Sequence, residues 1–280
     1  MTIGEALAYI RDALAPSSGE FAHPEAEEIL TVLTGRDRIQ LYLSKSANLS
    51  KADIEKIDTI ISRRINHEPL AYILESAYFY DREFIVSPSV LIPRPDTEVL
   101  IEKILEQEPT TPQRFLDIGT GSGIISSILT EHRPWKAMAL DISVDALRIA
   151  KRNRRSSFDL VCSDLFSAIK PAHQFDFIVS NPPYIDKPSL NNLDSDVKEF
   201  EPHCALYGGD DGLFFYRQFA AEAVYFIKKD GFIYCEIGYD QLDSCHDIFA
   251  LHHWRNISVT FDLNHHPRVI SAKVPERENV

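Results

Sequence analysis

The stretch Phe115-Leu116-Asp117-Ile118-Gly119-Thr120-Gly121-Ser122-Gly123 decides the fold of this 280-residue chain. Its apolar first half predicts a buried β-strand, and the glycines that follow predict a tight turn into a helix. Glycine lets a ligand lie directly against the backbone and lets the helix pack closely on the strand. The stretch therefore predicts a sheet with a nucleotide-type ligand at the carboxyl end of this strand.

The spacing of the glycines narrows the class of ligand. A dinucleotide fingerprint needs Gly-x-Gly-x-x-Gly, but the sixth position counted from Gly119 is Ile124. The spacing Gly-x-Gly-x-Gly suits a ligand without a pyrophosphate, such as S-adenosylmethionine. The residues of the loop that we expect to contact this cofactor are Gly119, Thr120, Gly121, Ser122 and Gly123.

Strand-like and helical patterns alternate from residue 113 onward. The strand-like segments are residues 114–118, 136–141, 159–162, 175–180 and 232–236. Such alternation predicts an α/β fold with a parallel sheet and helices on both faces. Two last strands, near residues 258–262 and 269–274, are joined by a turn that is too short for a parallel crossover. We therefore expect this last pair to be antiparallel.

The N-terminal part of the chain has a different pattern. Apolar residues recur at helical spacing and predict a small bundle of about four helices. Aromatic and β-branched residues between positions 76 and 93 then predict a β-hairpin. We expect three regions: a helical domain for substrate docking at residues 1–72, a β-hairpin and linker at residues 73–97, and a catalytic domain at residues 98–280.

Asp141 ends the second strand of the predicted sheet. Its spacing from Asp117 matches that of the acid that binds ribose hydroxyls in such folds. Asp141 also begins the segment that leads into the next helix, so a helix cap is the alternative interpretation. The glycine loop upstream favours the ribose role, and we expect Asp141 to bind the cofactor.

The segment Ser163-Asp164-Leu165-Phe166 follows the third strand. The carboxylate of Asp164 can accept a hydrogen bond from an adenine amino group. Leu165 or Phe166 can flank the adenine ring with apolar surface. We expect Asp164, Leu165 and Phe166 to complete the cofactor site.

The tetrad Asn181-Pro182-Pro183-Tyr184 comes directly after the strand at residues 175–180. Methylation of an amide or ring-amine nitrogen requires that its delocalised lone pair be aimed at the methyl group. Two acceptors that hold the N–H donors achieve this, and the Asn181 side-chain oxygen and the Pro182 carbonyl can serve. Pro183 keeps Pro182 extended, and Tyr184 offers a flat face to a planar substrate.

The alternative interpretation of this tetrad is a plain loop between a strand and a helix. Four residues of suitable type at the end of a sheet strand favour a site of methyl transfer. We expect Asn181, Pro182 and Tyr184 to act in catalysis and all four residues, Pro183 included, to bind substrate. Asn181 is also expected to lie against the cofactor.

Three further segments carry a resemblance to a known family. Residues 91–98 (Leu-Ile-Pro-Arg-Pro-Asp-Thr-Glu), residues 67–73 (His-Glu-Pro-Leu-Ala-Tyr-Ile) and residues 201–209 resemble the protein-(glutamine) methyltransferases, the PrmC/HemK enzymes that act on release factors. The resemblance spans roughly residues 65–275. The tetrad alone is shared with DNA adenine and RNA guanine methyltransferases, so the Pro-Arg-Pro connector narrows the choice.

The resemblance implies a Rossmann-like class I methyltransferase sheet, mostly parallel with an antiparallel last strand. It also implies S-adenosylmethionine as cofactor and, as substrate, the glutamine of the Gly-Gly-Gln motif in class 1 peptide chain release factors. Two positions depart from the family pattern: Asp96 stands where Glu is usual, and Glu75 stands where Gly is usual. Neither departure touches the expected transfer chemistry.

Charge and composition restrict the remaining classes of function. The net charge of −13 speaks against a nucleic-acid substrate, because proteins that grip phosphates usually present a basic face. The four cysteines lack zinc-ligand spacing, and we expect no metal. We find no signal peptide or membrane helix and expect a cytoplasmic enzyme. Two alternatives stay open: a nucleic-acid amino methyltransferase, and a non-catalytic S-adenosylmethionine-binding module.

Overall fold

The computed structural model describes residues 1–276. The helices are α1 (Ile3–Ser18), α2 (Ala22–Thr34), α3 (Arg38–Leu43), α4 (Lys51–Ile65), α5 (Leu70–Leu74), α6 (Asp96–Gln107), α7 (Ile124–His132), α8 (Val144–Asn153), α9 (Lys187–Leu190), α10 (Ser195–Phe200), α11 (His203–Leu206), α12 (Phe214–Glu222) and α13 (Leu242–Leu251). The strands are β1 (Ser76–Phe79), β2 (Arg82–Ile85), β3 (Arg114–Ile118), β4 (Lys136–Asp141), β5 (Asp159–Cys162), β6 (Phe175–Ser180), β7 (Ile227–Glu236), β8 (Arg255–Phe261) and β9 (Pro267–Lys273). None of the described helices has the length and apolar character needed to cross a membrane.

The chain divides into two compact units. The helical unit comprises residues 1–76 and 194–200, and the sheet unit comprises residues 77–193 and the residues from 201 onward. In the helical unit, Thr2, Asp37 and Ser50 cap α1, α3 and α4, because each side-chain oxygen accepts a hydrogen bond from the backbone N–H three residues later. The apolar faces of α1, α2 and α4 meet in a single buried core.

Helix α5 ends at Leu74 and is followed by its C-cap Glu75, one of the two positions that depart from the pattern this sequence otherwise resembles. The backbone of Glu75 has φ of +55°, in the left-handed region, and the side chain is exposed. A side chain with a Cβ is strained in this conformation, and glycine is the usual residue at such a helix terminus. Glu75 therefore adopts the left-handed conformation that glycine favours, and its Cβ adds strain to the turn.

We expect the substitution Glu75→Gly to stabilise the helical unit by about 0.5–1 kcal/mol. Relief of the left-handed strain outweighs the greater freedom of glycine in the unfolded chain, and an acid at a helix C-terminus is unfavourable in any case. Urea unfolding of both proteins measures the difference. The control is Glu55→Gly in the middle of α4, which should lose about 1 kcal/mol. A Glu75→Gly protein that is less stable than the original chain would contradict this assignment of strain.

The sheet unit contains seven strands in the order β5-β4-β3-β6-β7-β9-β8. Strands β3 to β7 pair with one another in parallel, whereas β9 pairs antiparallel with both β7 and β8. Strands β1 and β2 form a separate two-stranded sheet, which is the expected hairpin. The predicted α/β fold, with its antiparallel last pair, is confirmed.

Two hydrophobic cores lie on the sheet unit's two faces. One packs Phe215, Phe219 and Phe249 of α12 and α13 against the sheet, and the other packs apolar residues of α6 and α7 against it. In the sheet, β4 lies next to one edge of β3 and β6 lies next to the other edge, so the direction of the strand order reverses at β3. Ligands in open α/β sheets bind outside the carboxyl ends of the strands at such a reversal. The topology therefore places the expected site at the ends of β3, β4 and β6.

Candidate active site

A cavity of about 640 Å³ lies at the carboxyl ends of the parallel strands. Its volume is in the range of sites that enclose a small molecule. Most of the expected site residues line it, namely Gly119, Thr120, Gly121, Ser122, Asp141, Asp164, Leu165, Asn181 and Pro183. These residues come from four separate loops that the parallel sheet brings together.

The glycine loop forms the floor of this cavity. Gly119, Gly121 and Gly123 all have positive φ, at +71°, +55° and +80°. A Cβ on Gly123 would lie 3.0 Å from the Cβ of Ala150, so this glycine lets α7 pack closely against α8. Gly123 itself lies at the N-terminus of α7 and serves packing, whereas the preceding four residues face the cavity. The loop thus presents bare backbone to a ligand.

Asp117 lies beneath the glycine loop and is fully buried. One carboxylate oxygen accepts hydrogen bonds from the hydroxyls of Thr120 and Ser126, both at 2.7 Å. The other oxygen, Oδ1, has no hydrogen-bond partner among the described residues. Burial raises the pKa of Asp117 to about 6. A buried carboxylate below the loop favours a positively charged ligand above it, which suits the sulfonium and ammonium groups of S-adenosylmethionine.

Asp141 lines the cavity at the end of β4. Its two oxygens accept hydrogen bonds from the backbone N–H groups of Gly121 and Ser143, both at 2.8 Å. The cap of α8 is Ser143, whose hydroxyl accepts from the N–H of Ala146. Each carboxylate oxygen of Asp141 can accept a second hydrogen bond, which fits a ribose hydroxyl. Burial raises the pKa of this carboxyl above its ordinary value.

The turn after β5 separates its three expected site residues. Asp164 is exposed and Leu165 is half-buried, and both line the cavity. Phe166 instead lies in the core, with only 2% of its surface exposed and its ring stacked on Phe226 at 4.5 Å between centroids. The structure therefore brings Asp164 and Leu165 to the cavity and directs Phe166 away from it.

Two residues of the tetrad line the cavity beside the glycine loop. Asn181 and Pro183 line the cavity, whereas Pro182 is buried and Tyr184 packs against the hydrophobic core, so these two expected site residues are not part of the lining. The Asn181 carbonyl oxygen lies 4.0 Å from the position that a Cβ on Gly119 would occupy, so the two loops are in close contact. Burial raises the pKa of the Tyr184 hydroxyl, which disfavours a role for this tyrosine as a base at neutral pH.

Two glycines and a glutamine that were not among the expected site residues hold the tetrad in place. Gln241 Nε2 donates to the Tyr184 carbonyl at 2.9 Å. A Cβ on Gly208 would lie 2.7 Å from the Cα of Tyr184, and a Cβ on Gly212 would lie 2.5 Å from the carbonyl oxygen of Tyr184. Only glycine permits this approach, since real Cβ contacts are longer. The segment after the tetrad therefore acts as its backing.

Thr97 and Glu236 both form hydrogen bonds with the side-chain amide of Asn181, and neither was among the residues expected from the sequence. Asn181 Nδ2 donates to Thr97 Oγ1 at 2.9 Å, and Thr97 Oγ1 donates to Glu236 Oε2 at 2.7 Å. Thr97 and Glu236 are almost completely buried. Burial raises the pKa of Glu236 to about 7, although the hydrogen bond from Thr97 opposes that rise. The sequence feature that could have indicated Glu236 is the acid at the end of the apolar strand β7.

The connector at residues 91–98 and the segment after the tetrad meet at the cavity wall. Arg94 forms an ion pair with the buried carboxylate of Glu201, which also accepts the backbone N–H of Ile92 at 3.3 Å. Asp96, where the family usually has Glu, begins α6 and pairs with Arg268 at 3.0 Å. The shorter acid therefore keeps a charged partner.

Comparisons with known proteins agree with this geometry. Residues 5–74 match the family described as the PrmC N-terminal domain, and residues 95–194 match the methyltransferase small domain. A crystal structure of a methyltransferase from Pyrococcus furiosus shares the fold, with a TM-score of 0.54 at 16% identity over 77% of this chain and 98% of that one.

Two curated proteins are similar over nearly their full length. The release factor glutamine methyltransferase of Koribacter versatilis is 40% identical over 255 residues, which cover 89% of this chain and 90% of that protein. The release factor glutamine methyltransferase of Geobacter sulfurreducens is 35% identical over 98% of this chain and 97% of that protein. Because identity of this size extends across both units, the chain belongs to the release factor glutamine methyltransferase family, whose cofactor is S-adenosylmethionine.

Proposed function

We propose that this chain methylates the side-chain amide nitrogen of the glutamine in the Gly-Gly-Gln motif of class 1 peptide chain release factors. The observation that carries the proposal is the position of Asn181, which lines the cavity beside the glycine loop and is held by Thr97. An amide substrate offers two N–H donors, and the tetrad offers two acceptors, the Asn181 side-chain oxygen and the Pro182 carbonyl. A hydroxyl or carboxylate substrate could not satisfy both acceptors.

The residues of the chain act mainly by positioning. When bound, S-adenosylmethionine supplies a methyl group on a sulfonium, which is already a good electrophile. Asn181 and Pro182 hold the amide N–H groups, so that the nitrogen lone pair points at the methyl carbon. Tyr184 contributes by anchoring the tetrad, because its ring packs against the core and its carbonyl accepts a hydrogen bond from Gln241. As the new N–C bond forms, the S–C bond breaks and the nitrogen releases one proton to solvent.

The proposed cofactor contacts follow the same loops. Backbone of residues 119–122 supports the methionine part, Asp141 binds the ribose hydroxyls, and Asp164 and Leu165 meet the adenine. Gly123 and Phe166 support these contacts from behind, since one packs on Ala150 and the other on Phe226. We propose no metal, because methyl transfer from a sulfonium needs none.

We also propose that the helical domain at residues 1–72 docks the release factor. The most exposed of its large apolar side chains are Phe21 at 63%, Ile39 at 72% and Leu43 at 82%. Ile39 and Leu43 are four residues apart on α3 and so share one face of that helix. Exposed apolar side chains grouped in this way are typical of a surface that binds another protein.

We expect the double substitution Ile39→Ser/Leu43→Ser to raise the KM for intact release factor by about tenfold while kcat and cofactor affinity stay unchanged. Each exposed side chain loses roughly 0.5–1 kcal/mol of apolar contact with the partner. Steady-state methylation of intact release factor measures the change. A short peptide that contains the Gly-Gly-Gln motif is the control acceptor, since it should be methylated equally by both proteins. An unchanged KM for intact release factor would show that α3 takes no part in docking.

The proposed partner also suggests the compartment and the excluded substrates. Release factors act on ribosomes, so we place the enzyme in the cytoplasm as part of the proposal. The net charge of −13 favours a protein substrate over a nucleic acid.

The test of the proposed function is one incubation of the enzyme with labelled cofactor and equal amounts of release factor, rRNA and DNA. Label on release factor alone supports the proposal, and label on rRNA or DNA with none on release factor supports a nucleic-acid amino methyltransferase. Absence of transfer to all three would leave a non-catalytic binding module.

A further inference from the structure

A primary amide such as that of Asn181 can be turned in two ways. In one orientation the carbonyl oxygen faces the substrate and accepts an N–H, and in the other the NH₂ group faces it and repels that N–H. The shape of the side chain is nearly the same in both. The reaction needs the first orientation, so some group in the structure has to select it.

The neighbours of Asn181 make this selection through their hydrogen-bonding capacity. An ionised Glu236 has no proton and can only accept, so the single proton of the Thr97 hydroxyl goes to it, at 2.7 Å. Thr97 Oγ1 is then left with acceptor capacity only toward Asn181, at 2.9 Å. The NH₂ group of Asn181 must therefore face Thr97, and its oxygen must face the other way. Burial of both partners excludes water as a competing donor.

We propose that Thr97 and Glu236 are positioning residues that lock the Asn181 amide with its oxygen toward the substrate nitrogen. Neither residue touches the reacting atoms, and both act through Asn181. A protonated Glu236 could donate to Thr97 and would permit the inverted amide, so the charge on Glu236 is part of the lock. The kinetic part of this inference rests on the proposed function.

The direct test compares Thr97→Val, which keeps the shape of the side chain but removes the hydroxyl, with Thr97→Ser, which keeps the hydroxyl. At about pH 8.5, above the pKa of Glu236, we expect Thr97→Val to lower kcat by about tenfold with little change in KM or cofactor affinity. Thr97→Ser should retain at least half of the original kcat. A packing role alone would instead give a loss of melting temperature in both variants.

A double-mutant cycle shows whether Thr97 acts through Asn181. In the Asn181→Ala background there is no amide to orient, so Thr97→Val should produce no further loss of kcat. Glu236→Gln offers a second route if Thr97→Val folds poorly, since it preserves shape, removes the charge and should lower kcat by about threefold to tenfold. The proposal is overturned if the double variant loses kcat by the product of the two single losses. It is also overturned if kcat is unchanged in both Thr97→Val and Glu236→Gln.

A second measurement does not require release factor as a methyl acceptor, so it tests this inference separately from the proposed function. The side-chain ¹⁵N–¹H₂ signal of Asn181 is identified by its absence in Asn181→Ala. The lock predicts slow hydrogen exchange of this NH₂ group in the original chain and in Thr97→Ser, and fast exchange in Thr97→Val. Fast exchange in the original chain overturns the lock. Slow exchange in a protein that transfers no methyl to release factor keeps the lock and removes the proposed substrate.

Discussion

Asn181→Ala is expected to lower turnover by about 10²–10³-fold, the loss that follows removal of one oriented polar group from a reacting centre. The substitution removes the oxygen that holds the substrate amide, while the Pro182 carbonyl and the glycine loop remain. Cofactor affinity should therefore change little, because the glycine loop, Asp141 and Asp164, which also line the cavity, stay in place. Single-turnover methylation of release factor, with calorimetry for the cofactor, measures both quantities.

The control for this variant is Asn192→Ala. Asn192 is exposed and lies beyond α9, so its loss should leave turnover within about twofold of the original value. Near-normal turnover in Asn181→Ala would show that this asparagine does not hold the substrate. A large loss of cofactor affinity in the same variant would instead assign Asn181 mainly to the cofactor.

Asp141→Ala is expected to weaken cofactor binding by roughly one to two decades, since a hydrogen bond to a charged group contributes about 1.5–3 kcal/mol. The carboxylate also accepts the N–H of Gly121, so its removal loosens the glycine loop as well. At saturating cofactor most of the turnover should return, because β3 lies between β4, which ends at Asp141, and β6, which the tetrad follows. Calorimetric titration of S-adenosylmethionine gives the affinity, and a Kd equal to that of the original chain would restrict Asp141 to holding the loop.

Asp145→Ala is the matched control for Asp141→Ala. Asp145 lies one helical turn along the same segment, is exposed and pairs with Arg148 on the surface.

The raised pKa of Asp141 adds a pH dependence of cofactor affinity with a definite sign. The ionised carboxylate is the better acceptor for ribose hydroxyls, so cofactor affinity should fall as the pH is lowered through this pKa. The Asp141→Ala variant should lose the part of that fall that Asp141 contributes and keep the part that protonation of Asp117 contributes, whereas Asp145→Ala should show both parts.

The parts of the site that could be predicted from the sequence are those whose signal is local. The glycine loop and the tetrad each combine a strand with a turn of distinctive composition, and the parallel sheet then brings the two together. Asp141 could be predicted because it ends a strand at a known distance from that loop. In each case the side chains or backbone that would contact a ligand lie within a few residues of the strand and turn pattern that reveals their place in the fold.

The residues that could not be predicted depend on contacts across the chain. Thr97 lies in α6, Asn181 follows β6 and Glu236 ends β7, so their hydrogen bonds exist only because the topology makes β6 and β7 neighbours. Phe166 illustrates a different limit. It directly follows Leu165 in a turn, where neighbouring side chains point in different directions, and composition alone does not show which one faces the cavity.

The central claim is that one glutamine side chain of a release factor receives the methyl group at this site. The most direct measurement is mass spectrometry of the release factor's Gly-Gly-Gln peptide after incubation with the enzyme and S-adenosylmethionine, with a Gln→Glu release factor and the Asn181→Ala enzyme as parallel samples. We predict one added methyl group on that glutamine, none on the Gln→Glu protein, and a much slower gain with Asn181→Ala. A methyl group on any other residue, or equal methylation of the Gln→Glu protein, would contradict the account.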